Sequence, residues 1–519
     1  MKLEAQLDAA GLTGTKLAVW AALRPDGVAV VDPDGTEHSF ATVNGNANRL
    51  VRRLRAYGLG AGDAVAMICS NRVAFVEVTA ACLRGGFRLT PVNWHLTAEE
   101  IGYIIADCEA KAVIAEAGRA PVAAAMAQAG EVAVRLSVGG TIDGFEDYAA
   151  ALADLDAGDL PDPVLGGTMM YTSGTTGRPK GVHRPQPVPI PQAAYATRGY
   201  GPDSVQLCAG PAYHAAPFVF DLTAATSTGA PLVFVDKWDS ETVLRLIAGR
   251  RVTHLHLVPI MMQRLLALPD AVKARYPVDS VRFLIHGAAP CAPEVKRAMI
   301  AWFGPVLTEY YAGSEGGAGF FIDSDEWLRK PGSVGKRPLL MQVRILDDEG
   351  RELPNGQEGG IYHQLPPGGF TYYKDNGKTA ATRVDGFFTM GDVGYFDADD
   401  YLFLTGRSAE TIISGGVNIY PQEVDNQLIK HDAVADSATV GIPHPEWGEE
   451  VRAVVALKPG FEPSDVLAQE ILAHARAALP SFKVPRSLDF ATELPRSEAG
   501  KIQRGKVRAP YWAGRERQI

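Results

Sequence analysis

The chain has 519 residues, 46% hydrophobic and 21% charged, which allows two or more domains with cores of their own and excludes wholesale disorder. Its 50 basic and 60 acidic side chains leave a net charge of −10, which argues against a nucleic-acid protein, whose binding face is basic. The five scattered cysteines, with no CxxC pair, argue against a disulfide framework or a zinc site and read as small buried side chains.

In chain order, MKLEAQLDAAGLTGTK at the N-terminus lacks the apolar centre of a signal peptide. No run approaches the roughly 18 apolar residues of a membrane span, so a cytoplasmic location without a membrane span is expected. VAMIC (65–69) predicts a buried strand, VAFVEVTAACLRGG (73–86) a helix ending at glycine, and FRLTPVN an extended stretch. TAEEIGYIIADCEA (97–110) predicts a helix in which Thr97 and Glu100 have capping-box spacing and Ile101, Ile104 and Ile105 share a face. AVIAEA follows as a strand, and this alternation predicts α/β layering with a largely parallel sheet. LDAGDLPDPVLGG (155–167) reads as a surface connection.

YTSGTTGRPKGVHRP (171–185) surrounds glycines with hydroxyls and adds Lys180. Backbone N–H groups freed by glycine, hydroxyl donors and an ammonium are what a chain uses to hold a phosphate. A P-loop would need a second glycine where Pro179 stands and a hydroxyl where Gly181 stands, so that reading fails on spacing. His183, His254 and His256 lack paired ligand spacing and read as surface or packed histidines. Farther on, YYAGSEGG (310–317) combines aromatic, glycine and acid. GFFTMGDVGYFDADDYLFLTGR (386–407) carries Asp392 and Arg407 fifteen residues apart, ISGGVNIYPQEV (413–424) is a second glycine turn, and LPRSEAGKIQR (494–504) presents Lys501 after glycine. The last hundred or so residues, with EVRAVVALKPG as a strand and SDVLAQEILAHARAAL (464–479) as a helix, predict a small α+β domain beginning near residue 408.

In this order and with these separations, the segments resemble the adenylate-forming superfamily: acyl-CoA synthetases, adenylation domains of peptide synthetases and beetle luciferases. The resemblance runs from about residue 20 to the C-terminus. It implies an N-terminal domain of several α/β subdomains with layered sheets over 1–407, holding ATP and the acid, and a mobile C-terminal domain over 408–519. Thr172, Ser173, Gly174, Thr175, Thr176 and Lys180 match the loop on the ATP β- and γ-phosphates. Gly287, Ala288 and Ala289 of HGAAP, with Tyr310 and Tyr311, match the adenine slot. Ser314 stands near the α-phosphate, and Glu315 matches the Mg²⁺ ligand. Asp392 matches the carboxylate on the ribose hydroxyls, Arg407 the arginine beside it, and Lys501 the lysine on the carboxylate and α-phosphate. Ser414, Gly415 and Gly416 match the turn that enters for the thiol step. His214 in PAYHAAPF stands where the family places a gate to the acyl tunnel; as a bare residue it reads equally as a packed histidine.

The implied reaction turns a carboxylic acid, ATP and coenzyme A into an acyl-CoA through an acyl-adenylate. No carrier domain follows within the eighteen residues after Lys501, which disfavours a built-in peptide-synthetase module; a stand-alone ligase for a carrier protein and a homodimer both stay open. Gly313, Gly316 and Gly317, with Val258 and His214, are expected to shape a roomy acyl pocket, hence a bulky apolar acid. One departure concerns the hinge: where the family has lysine or aspartate after Arg407 the chain has Ala409, with Glu410 for an aspartate and Asp400 for a turn glycine. Loss of that charge suggests a bias toward the thioester-forming orientation, so an enzyme that only thioesterifies a supplied adenylate is the alternative, and a non-catalytic adenylate- or acyl-binding regulator is a second.

Overall fold

The computed structural model describes residues 2–172, 179–339, 341–365, 369–414, 417–497 and 500–513, apart from the side chains of residues 317 and 318. The chain forms two compact units, one of Met1–Leu257, Ala267–Ile285 and Pro366–Ala380, the other of Val258–Leu266, His286–Leu365 and Ala381–Ile519.

The first unit is α/β in the expected sense. One six-stranded parallel sheet has the order Glu146–Asp147, Val134–Val138, Ala110–Glu116, Ala64–Ile68, Arg88–Pro91 and Gly167–Thr168. Its central strand Ala64–Ile68 is buried at every position, as a strand covered on both faces must be. Helix Val73–Gly85 ends at Gly86 in the left-handed region (φ 81°), which a glycine adopts without a Cβ penalty. Helix Ala98–Asp107 starts with the predicted capping box of Thr97 and Glu100 and buries Ile101, Ile104 and Ile105. The 155–167 connection is exposed or half-exposed at every position but Gly166, yet it is not loose. Asp159 accepts from Asn44 and Asn48 of helix Phe40–Ala56 at 3.0 and 3.1 Å, and the same two amides hold buried Arg84. A second, mostly parallel sheet includes Val28–Val31, Leu232–Phe234, Gln206–Cys208 and His254–Leu257. Met170–Thr172 and Lys180–His183 pair antiparallel, and Thr371–Tyr372 adds to Lys180–His183.

In the second unit, Leu307–Gly313 and Gly316–Asp323 form an antiparallel hairpin. A further antiparallel sheet runs Ser333–Lys336, Tyr401–Arg407, Phe387–Phe396, Gly359–Gln364 and Val343–Leu346. From residue 408 the texture is α+β, as expected. Val434–His444 and Gly448–Leu457 make a long hairpin, and helices Pro421–Leu428 and Asp465–Ala478 bury Val424, Leu428, Leu467, Ile471 and Ala475 against it. The five cysteines are free, four of them buried. Among the described residues no helix is long and apolar enough to cross a membrane.

Candidate active site

The fifteen-residue spacing of Asp392 and Arg407 is hairpin geometry. Antiparallel register sets the two residues directly opposite each other, so their side chains leave the same face. Arg407 Nε donates to Asp392 Oδ1 at 2.8 Å, and the Tyr311 hydroxyl donates to Oδ2 at 2.8 Å. Burial and the Asp392 charge push the Tyr311 hydroxyl well above its usual pKa, so it stays a donor. Burial works against the Arg407 charge, but Asp392 and Glu410 outweigh it and raise its pKa. In the hairpin turn, Asp400 takes the expected glycine's place at φ 64°. Aspartate tolerates this region better than most residues, and its carboxylate is held by Arg337 at 3.2 Å and Asn355 at 3.1 Å.

Strand Phe283–His286 leads into the turn that begins at Gly287. A Cβ on Gly287 would lie 2.5 Å from the Tyr310 carbonyl oxygen and 2.7 Å from its ring, so only glycine allows this approach. Ala288 follows at φ 65°, and Ala288 and Ala289 are half-buried. Neighbouring strand residues face opposite ways: Tyr310 meets Gly287 while Tyr311 meets Asp392. The Gly313–Gly316 register leaves Ser314 and Glu315 as a two-residue hairpin tip. A Cβ on Gly313 would collide with the Met390 sulfur and come within 3.1 Å of Glu315 Oε2. Gly313 therefore faces Met390 and Glu315 and not open space; the surroundings of Gly317 lie outside the described residues.

Lys501 follows Gly500, whose φ is 77°. The turn is closed by Ser497 N–H on the Lys501 carbonyl at 2.8 Å and by the Arg496 guanidinium on the Gly500 carbonyl at 2.5 Å. A Cβ on Gly500 would meet Ile260 at 2.8 Å and Val258 at 3.1 Å, so Val258 backs the lysine turn. Lys501 keeps access to water although it lies in a crowded hollow. That crowding and the Arg407 charge lower its pKa, against Asp392, Glu315 and Glu410, which favour the ammonium. The structure thus brings Lys501, Arg407, Asp392 and Glu315 into one electrostatic neighbourhood.

In the first unit, Thr172 and Lys180 are paired across adjacent strands. Lys180 reaches Asp375 at 3.1 Å, which raises its pKa; Ser173, Gly174, Thr175 and Thr176 lie outside the described residues. His214 is half-buried and starts the turn Ala215–Pro217, which runs into a π-helix, Phe218–Thr223. Ser414 pairs with Val417 and Gly448, while Gly415 and Gly416 lie outside the described residues. Ala409 is exposed in a single turn, Ser408–Glu410.

A family model described as AMP-binding enzyme matches residues 17–373, and one described as AMP-binding enzyme C-terminal domain matches 423–501. The chain belongs to the AMP-binding enzyme family. A feruloyl-CoA synthase of Amycolatopsis is 32% identical over 92% of this chain and 94% of its own. A sulfoacetate–CoA ligase of Cupriavidus necator is 32% identical over 95% and 96%. Among solved structures, ATP-bound MatB from Rhodopseudomonas palustris superposes with a TM-score of 0.81 at 28% identity, covering 95% of this chain and 99% of that one. This AMP-binding enzyme is thus of the adenylate-forming superfamily, and its class is the AMP-forming acid–thiol ligases. At family level its activity is acyl-CoA ligation through an acyl-adenylate, with ATP and coenzyme A as substrates.

Sequence reasoning missed several polar partners in this AMP-binding enzyme. Asp375 carries no local signal, because only folding returns its segment to Lys180. Met390 fills the space beside Gly313. Arg504, three residues past Lys501, was visible in KIQR yet nothing in the sequence pairs it with Glu410, which it meets at 2.9 Å.

Proposed function

We propose that this enzyme activates a bulky apolar carboxylic acid as its adenylate and passes the acyl group to coenzyme A. The observation that carries the adenylation step is the gathering of Lys501, Arg407, Asp392 and Glu315. In our reading Asp392 accepts the ribose hydroxyls, with Arg407 held beside it. The acid's carboxylate oxygen attacks the α-phosphorus and pyrophosphate leaves. Lys501 stands as the cation toward which charge builds, and preplaced charge of this kind is usually the largest catalytic term. Glu315 and Ser314 supply hard oxygen donors on a short turn. That donor set fits Mg²⁺, which takes one or two carboxylates and completes its shell with water and phosphate; bound there, it would offset phosphate charge. In the second step the thiol adds to the acyl carbonyl and AMP leaves. The turn beginning at Ser414 belongs to that step, and we assign its entry to movement of residues 408–519.

The acid is read from the first unit. Residues 199–236 contain no lysine or arginine, and Ala215, Ala216, Val219 and Phe220 beside His214 are half-exposed. An apolar face without a cation suits an apolar acyl group, with only its carboxylate charged. The placement of Lys501 supports adenylation of free acid over the restricted thioesterifying reading, despite Ala409. AMP and pyrophosphate release over a panel of aryl, medium-chain, long-chain and short dianionic acids, with and without coenzyme A, tests this. Turnover confined to short charged acids would reject the acyl assignment, and thioester formation from supplied adenylate alone would reject adenylation.

A further inference from the structure

Ala409 carries no charge, but its neighbour Glu410 does, and that charge is engaged. Glu410 Oε2 accepts from Arg504 Nε at 2.9 Å. The other Arg504 nitrogens reach Asp425 Oδ2 at 2.7 Å, Gln422 Oε1 at 3.0 Å and the Thr439 carbonyl at 3.3 Å. Asp425 is fully buried and also accepts from the Ser437 hydroxyl, the Thr439 hydroxyl and the Thr439 N–H, at 2.9, 2.7 and 2.7 Å. Arg504 is therefore anchored in the C-terminal core, and Glu410 is the link from that anchor to the chain leaving Arg407. Glu410 lies three residues past Arg407, and Arg504 three residues past Lys501. One ion pair ties together the two segments that carry the candidate cations.

We propose that Glu410 is a positioning residue for Lys501: through Arg504 it holds the start of helix Arg504–Trp512, and so the lysine turn, at a set distance from Arg407. The inference rests on the reading of Lys501 as the adenylation lysine. Because Glu410 is bound to the C-terminal core, it lies on the moving side of the hinge. Ser408 lies on the other side, where its hydroxyl donates to the Gly391 carbonyl at 2.9 Å. The pivot narrows to the Ser408–Ala409 link. The Thr411 hydroxyl, which donates to the Arg407 carbonyl at 3.0 Å, spans it and must let go on rotation.

The largest charge effects on Lys501 come from Arg407, Asp392, Glu315 and Glu410. Arg496 also closes its turn, with Asp436 on the far side of that guanidinium. Removing the Glu410 charge takes away one of three anions that favour the ammonium, so Lys501 should lose its proton at lower pH. The test uses the full chain with Glu410→Gln, and Glu410→Asp as the charge-keeping control. Amine acylation of Lys501, followed by mass spectrometry across pH in the free protein, needs no substrate. In Glu410→Gln its curve should move down by about half a pH unit or more. ATP–pyrophosphate exchange should fall about tenfold, while conversion of a synthetic acyl-adenylate to acyl-CoA changes less than about twofold. Glu410→Asp should keep the acylation curve and restore part of the exchange. An unmoved Lys501 curve, or equal losses in both half-reactions, would overturn the proposal. If the unsubstituted chain exchanges pyrophosphate with no acid, the adenylation reading fails, and the acylation curve alone then decides the role of Glu410.

Discussion

One region in each unit treats its ionisable side chains in the opposite way from the other. In the second unit, Asp392 and Arg407 are paired, their charges and that of Glu315 act on Lys501, and Lys501 keeps access to water. In the first, beside the His214 turn, Asp221, His254 and His256 are essentially fully buried. Burial pushes the Asp221 carboxyl well up, and lowers His254 to about 4 and His256 to about 3, so each is driven to its neutral form. Gln206 donates to Asp221 Oδ1 at 2.6 Å, and the Thr223 hydroxyl donates to the Phe218 carbonyl at 2.8 Å, so polar groups hold the π-turn from behind. One region retains its charge. The other hides it and leaves an apolar face.

The contrast can be broken first at Lys501. Lys501→Ala is expected to slow adenylation about a hundredfold or more while sparing thioester formation from a supplied adenylate. Half-reaction assays that show equal losses would remove the lysine from its special place in the charged region. A smaller effect is expected of Asp392→Ala, which strips the acceptor from both Arg407 and Tyr311. Hydrogen bonds to a charged acceptor contribute about 1.5–3 kcal/mol, so loss of the proposed contacts to the ribose should raise KM for ATP about tenfold with acid preference unchanged. A shifted acid preference would mean the two regions are not separable in this way.

On the apolar side, Ala216→Phe should cut kcat/KM for the largest acids about fivefold or more relative to smaller ones, and leave KM for ATP alone, since overpacking a formed apolar surface penalises size. Gly313→Ala should behave differently, lowering adenylation of every acid alike, because its new methyl meets Met390 and Glu315. Steady-state kinetics over the acid panel separates the two.

The smallest effect sharpens the comparison through stability. The Asp221 carboxyl has a folded pKa above its unfolded value. Below the unfolded value both states are protonated and nothing is lost. As pH rises from there toward the folded value, the unfolded chain ionises first, and stability drains away. Asp221→Asn keeps the shape without that ionisation. Its Tm relative to the parent should climb by about 2 °C or more between about pH 4 and pH 8. A difference that does not vary with pH would show that Asp221 is not held neutral.

Much of the molecule is local and was determined by sequence alone. The strand Ala64–Ile68, the glycine-ended helix Val73–Gly85, the capping box at Thr97 and the α+β texture past residue 408 follow from side-chain period and end signals within a few residues. Asp392 and Arg407 were singled out by their spacing and by the resemblance, but it is the hairpin register that makes them a facing pair. What fills the space beside a glycine was not legible: Gly313 suggested acyl room, and Met390 occupies it. Nor were Lys180 with Asp375, Glu410 with Arg504 across 94 residues, or the π-turn that Gln206 and Thr223 hold. Local propensity constrains neighbours along the chain, whereas these pairs exist only because distant segments close on one another, and only packing decides which donor then faces which acceptor.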